Sequence, residues 1–95
     1  MRQYEAMVIV DSEADDAAVK GVGERISQLL SERGGEVASV DEWGRRKLAY
    51  QINKKGEGVY LLVTFKAEPE AVVELERVLS LAEEVIRYKV IKRAA

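Results

Sequence analysis

Five lysines and arginines, with no acid among them, fall within residues 45–55, just after the only tryptophan. The stretch reads Trp43-Gly44-Arg45-Arg46-Lys47-Leu48-Ala49-Tyr50-Gln51-Ile52-Asn53-Lys54-Lys55. Guanidinium and ammonium groups at this density suit phosphate oxygens, which accept their hydrogen bonds and neutralise their charge. A second cluster, Arg87, Lys89, Lys92 and Arg93, closes the chain, and Arg2 opens it. The net charge is −2, unevenly spread: residues 1–44 carry −6, 45–55 carry +5, 56–84 carry −5 and 85–95 carry +4. Binding responds to the local field of such a block more than to the total. The competing reading is structural, because a cationic strand at a sheet edge resists pairing with other chains.

Catalytic chemistry fares worse. The chain has no Cys and no His, which excludes Ser-His-Asp and Cys-His nucleophiles and zinc sites of the usual nitrogen–sulfur type. No metal, cofactor or small-molecule substrate is expected, and the chain is read as a non-enzyme. Asp15 and Asp16 are explained by a helix N-terminus, where carboxylates meet the positive end of the dipole. Gly21-Val22-Gly23-Glu24-Arg25-Ile26 begins like a dinucleotide fingerprint, but it lacks the third glycine and lies inside a helical pattern. Glu57-Gly58-Val59-Tyr60-Leu61-Leu62-Val63-Thr64-Phe65 matches the signature strand of RNA-recognition motifs only in part: an acid holds the basic position and the stacking aromatic is missing. Tyr4, Tyr60 and Tyr88 are therefore read as core residues. Tyr50, beside the cations, is able to stack on a base or a partner.

The elements that must carry these groups follow from periodicity. With 95 residues and 47% apolar composition, the chain is expected to form one globular domain over 1–95. Residues 3–10 alternate as a strand, with Tyr4, Ala6, Val8 and Val10 on one face and Met7 and Ile9 on the other. A helix is expected from about Ala14 to Arg33, with Ser12 and Asp15 spaced as a capping box. Its apolar stripe is Val19, Val22, Ile26, Leu29 and Leu30, and Gly34-Gly35 stops it. A second strand starts near Glu36 and runs to Ile52. Its broken alternation predicts a bulge near Gly44. A turn is expected over 53–58. Val59 to Phe65 forms the third strand, apolar enough to be central with both faces covered. Pro69 opens a second helix, striped by Val72, Leu75, Val78, Leu79 and Ala82. In the last strand Ile86, Tyr88 and Val90 face one way and Arg87, Lys89 and Ile91 the other. No apolar run is long enough to span a membrane, and the N-terminus lacks a signal-peptide pattern. A cytoplasmic location without membrane contact is the expectation.

The order βαββαβ is the α+β, ferredoxin-like split βαβ arrangement: a four-stranded antiparallel sheet with two helices on one face. Strands one and three should be central, with the cationic strands two and four at the edges. The two basic blocks then lie toward opposite edges.

The chain resembles the bacterial small-subunit ribosomal protein six family over nearly its whole length. The resemblance rests chiefly on the run from Trp43 to Ile52. Met1-Arg2-Gln3-Tyr4-Glu5, Gly34-Gly35, Glu57-Gly58-Val59-Tyr60, Glu74-Leu75-Glu76-Arg77 and Val85-Ile86-Arg87-Tyr88 support it. Gln51 departs from the family pattern, where many members have Pro. The resemblance implies a structural ribosomal protein that binds the central domain of small-subunit ribosomal RNA together with a small basic partner, ribosomal protein eighteen. On this reading Arg45, Arg46 and Lys47 come first as phosphate and sugar contacts, then Arg2, Arg87, Lys89 and Lys92. Trp43, Leu48, Tyr50, Met7, Ile9 and Ile91 are expected to pack or to seat the partner. On a regular strand Arg46 and Lys47 must point to opposite sides. The alternative is a ferredoxin-like regulatory or oligomerisation module that binds a small ligand or itself.

Overall fold

The computed structural model describes residues 1–52 and 55–93, and of side chains those of 1–47 and 56–93. The elements are β1 (Arg2–Asp11), α1 (Asp16–Glu32), β2 (Glu36–Ile52), β3 (Lys55–Ala67), α2 (Pro69–Leu81) and β4 (Val85–Lys92). They form one antiparallel sheet in the order β2-β3-β1-β4. The apolar strands β1 and β3 lie at the centre, and the cationic strands β2 and β4 are the edges.

Both helices cover the same face. Val19, Val22, Ile26 and Leu30 of α1 and Ala71, Leu75 and Leu79 of α2 close over Tyr4, Ala6, Val8 and Val10 of β1 and Val59, Leu61, Val63, Phe65 and Ala67 of β3. Tyr4 stacks on Phe65 with ring centroids 5.5 Å apart. Alternation along each strand sends every second residue to this core. On the helices, Leu29, Val72 and Val78 sit at the half-buried margin of the apolar stripes, and Ala82 is the C-cap of α2.

Several expectations are corrected. The N-cap of α1 is Asp15, whose carboxylate accepts from the Ala18 N–H at 2.8 Å, not Ser12. The helix accordingly starts at Asp16, two residues later than the periodicity suggested. It ends at Glu32, where Gly34 takes φ +78 and its N–H donates to the Ser31 carbonyl at 3.1 Å. The turn expected over 53–58 is shorter, since β3 already begins at Lys55; residues 53 and 54 lie outside the described ones. Only one face of β3 is covered. With two helices on one side, Tyr60, Leu62 and Thr64 are half-buried on the open side. Tyr60 is therefore not a core residue, whereas Tyr4 is fully and Tyr88 partly buried on the helix side.

The pairing registers break at three single residues and again on β2 between Lys47 and Ile52. Ala38 and Trp43 on β2 and Ile86 on β4 each have no residue opposite. The bulge at Trp43 falls beside Gly44, as expected, and Gly44 takes φ +83, which a side chain would resist. The bulge at Ile86 was not foreseen. It rotates this side chain to the open face, where its Cδ1 would lie 3.6 Å from a Cβ on Gly58. Ile86 therefore does not share a face with Tyr88 and Val90.

Candidate nucleic-acid interface

The registers place the open face in rows that cross the sheet. One row is Gly44, Tyr60, Ile9 and Arg87; the next is Asp41, Leu62, Met7 and Lys89; the third is Ser39, Thr64, Glu5 and Ile91. Arg46 stands one row beyond the first, opposite Gly58. The centre of this face is thus an apolar strip of Tyr60, Leu62, Met7 and Ile9, continued by Ile91, which is 49% exposed. Arg87 and Lys89 flank it on the β4 edge; on the β2 edge Gly44, Asp41 and Ser39 do, with Arg46 one row beyond. The two edges are three strand spacings apart, roughly 14 Å.

The expected cations divide by face and by end. Arg45 pairs with Val59, a helix-side residue, and its Nη2 donates to the Ser12 carbonyl at 2.8 Å. Lys47 lies opposite Glu57 on that same side, and Arg46 points the other way. Arg45 is thereby held against the loop before α1 and is the least available of the three. Arg2 pairs with Ala67 and Lys92 with Tyr4, so both are on the helix side, at the end of the sheet remote from β2's cations. The rows of Tyr4 and Val10 are roughly 20 Å apart along β1. Of the seven cations singled out, Arg46, Arg87 and Lys89 share the open face, and the other four do not. Arg93, beyond β4, is engaged by Glu5, its Nε 2.9 Å from the carboxylate.

Among the apolar candidates, Met7 and Ile91 are on the open face and accessible, whereas Ile9 is only 8% exposed and contributes mainly packing. Trp43 is 45% exposed on its bulge, and the Arg46 guanidinium lies over its ring at 5.6 Å from the centroid. The side chains of Leu48 and Tyr50 lie outside the described residues. Tyr60, Leu62 and the exposed Lys66 also belong to the open face but were missed. The signal was present: two helices on one face of a four-stranded sheet leave the other face bare.

Charged chemistry elsewhere is structural. Glu84 accepts from Arg25, and that hydrogen bond holds its carboxyl below the usual range. A hydrogen bond from Arg77 does the same for Glu74, assisted by Arg33 with its Nη2 3.8 Å away. These pairs tie the helix layer together and lie off the open face. Between α1 and β2 runs a groove of about 310 Å³, floored by Val19, Gly23, Val40 and Leu61. No polar or charged side chain is buried among the described residues, so nothing there would orient a small ligand from within.

The family model of ribosomal protein S6 matches residues 3–92. The small ribosomal subunit protein bS6 of Caldanaerobacter subterraneus subsp. tengcongensis is 46% identical over 92 residues, covering 97% of each chain. That of Clostridium novyi is 47% identical over 91 residues, covering 96% of each. Among solved structures, the 30S ribosomal protein S6 of Thermotoga maritima superposes with a TM-score of 0.91 at 31% identity, covering 97% of this chain and 87% of that one. The C-terminal domain of the MgtC protein from Mycobacterium tuberculosis superposes at 0.67 with 16% identity, covering 98% of this chain and 88% of that one, a likeness of fold alone.

Proposed function

Since the chain belongs to the ribosomal protein S6 family, whose members are non-enzymatic components of the small ribosomal subunit, we propose that it binds the central domain of small-subunit ribosomal RNA together with ribosomal protein eighteen. It works on the ribosome, in the cytoplasm. The observation that carries this reading is the open sheet face, an apolar strip with Arg87 and Lys89 along its β4 edge and Arg46 just past its corner on β2. Met7, Leu62, Tyr60 and Ile91 form the seat for the protein partner. Arg46, Arg87 and Lys89 on the open face, with Lys47 on the other side of β2, supply phosphate and sugar contacts that position the chain without reading sequence. Arg2 and Lys92 make a second, smaller contact at the far end of the sheet.

Division of the cations between two edges gives weak RNA affinity to the chain alone. A bound partner that bridges the edges raises that affinity, and the coupling is reciprocal. The test compares binding of a central-domain RNA fragment by this chain with and without protein eighteen. Cooperative binding is expected. Equal affinity in the two cases would sink the reading. Ile91→Asp on the exposed part of the strip should weaken capture of protein eighteen and leave the thermal unfolding midpoint nearly unchanged.

A further inference from the structure

Trp43 is the residue least explained by folding. It is the extra residue of a bulge, its ring is nearly half exposed, and it leaves the core nothing to lose. Its neighbours along the strand are charged: Asp41 and Glu42 before it, Arg45 and Arg46 after Gly44. Trp43 therefore stands at the boundary of the acidic and cationic halves of β2, beside Gly44, which lies opposite Tyr60.

Two features fix the ring in place. Gly44 at φ +83 belongs to the bulge that carries the ring, and Trp43 is 45% exposed there. The Arg46 guanidinium covers one side of the indole at 5.6 Å. A cation on one side of an indole is held by the ring quadrupole. A planar group added on the other side completes a stack, and an unpaired nucleobase is the planar group that comes with a phosphate for the adjoining cations.

We propose that Trp43, backed by Arg46, is a stacking platform for one unpaired nucleobase of RNA. The stack is insensitive to base identity, because every base has a π-face. Its sugar–phosphate runs toward the cationic half of β2, where Arg46 shares the open face, and away from Asp41, which sets the direction in which the strand crosses β2. The proposal rests on the reading of this chain as an RNA-binding protein and adds to it a residue that contributes affinity without charge.

Trp43 is the only tryptophan, so its fluorescence reports the site in the full chain. The experiment adds protein eighteen and a central-domain RNA fragment, singly and together, to the parent chain and to Trp43→Tyr and Trp43→Leu. The tyrosine variant serves as the blank for any tryptophan in the partner. RNA is expected to quench the Trp43 emission in the assembled complex. Trp43→Leu should weaken RNA binding by roughly 5- to 150-fold, the factor for one stacked base, with the slope of log affinity against log salt unchanged. Trp43→Tyr, which keeps a π-face, should retain most of the affinity, and all three chains should unfold at similar temperatures. The proposal is overturned if protein eighteen alone changes the emission and RNA adds nothing, which makes the ring a protein seat. It is overturned equally if Trp43→Leu binds RNA like the parent. Failure of the parent complex to bind RNA at all would remove the RNA-binding function itself, a result distinct from either of these.

Discussion

On β1, Tyr4, Ala6, Val8 and Val10 are buried under the helices, while Glu5 and Met7, each one residue away from them, lie half-exposed on the open face. β3 repeats the pattern: Val59, Leu61, Val63 and Phe65 are buried and Tyr60, Leu62 and Thr64 are not. The same strands thus present two faces with different tasks. The covered face gains its stability from apolar area removed from water. The open face keeps part of its apolar area in contact with water, and that area becomes available only on binding. The difference teaches that apolar residues in a central strand are not all core.

The sharpest test of this comparison is truncation on both faces. Phe65→Ala should cost about 3–5 kcal/mol, as buried aromatic truncations do. Leu75→Ala, on the helix that covers the same core, should cost about 2–5 kcal/mol. Met7→Ala, half-buried on the other face, should cost no more than about 1 kcal/mol. Urea unfolding measures all three. Similar losses for Met7 and Phe65 would make the open face a second core and end the distinction.

A smaller effect separates two places on the open face itself. A Cβ at Gly58 would stand 2.4 Å from Cγ2 of Ile9, whereas one at Gly56 would meet nothing within 4 Å. Gly58→Ala should therefore destabilise by about 1–3 kcal/mol through overpacking, and Gly56→Ala should be close to neutral. Equal midpoints for the two variants would show that Ile9 and Ile86 yield easily and that this corner is not packed.

Smaller still is the pH dependence of the covered side's ion pair. The hydrogen bond from Arg25 lowers the Glu84 pKa below its usual 4.5. A carboxyl with a depressed folded-state pKa stabilises the protein fully above its unfolded value, and that contribution disappears as pH falls through the folded value. The gain is therefore present at neutral pH and lost below about 4.5. Both partners are partly exposed, so it amounts to at most about 1 kcal/mol. Arg25→Ala should lower the unfolding midpoint slightly at pH 7 and by less at pH 3, because the parent loses the pair as pH falls through the folded value. An equal deficit at both values would assign the effect to packing of the arginine stem.

Least of all in stability is Lys89→Ala. An exposed edge cation should shift stability by less than about 0.5 kcal/mol. If Lys89 touches a phosphate of duplex RNA, its loss should flatten the plot of log affinity against log salt by about 0.9. Salt titration of the assembled complex measures this, with Arg45→Ala as the comparison. Arg45 is engaged by the Ser12 carbonyl, so its removal should affect the salt slope less than that of Lys89. The reverse order would put the RNA on the helix side of β2.

Much of this molecule was legible in its residues. Alternation in β1 and β3 and the helical stripes around Ile26 and Leu75 identify the elements, because burial follows the periods 2 and 3.6 wherever one face meets a core. Gly44 among residues that do not alternate marked the bulge. The cationic runs were plain as composition, and the family resemblance followed from the run around Trp43. What only the tertiary structure decided is which groups meet. Arg46 and Lys47 end on opposite sides of the sheet, as the strand period required, but only the fold makes Arg87 and Ile9, far apart in sequence, neighbours across a strand pair. Single-residue bulges at Ala38, Trp43 and Ile86 shift the register, and with a side-chain period of two each shift changes the face of whatever follows. Such a shift depends on how a strand fits its partner, so the face of Ile86, the capture of Arg45 by Ser12 and the exposure of Tyr60 came from pairing and layering, not from local pattern.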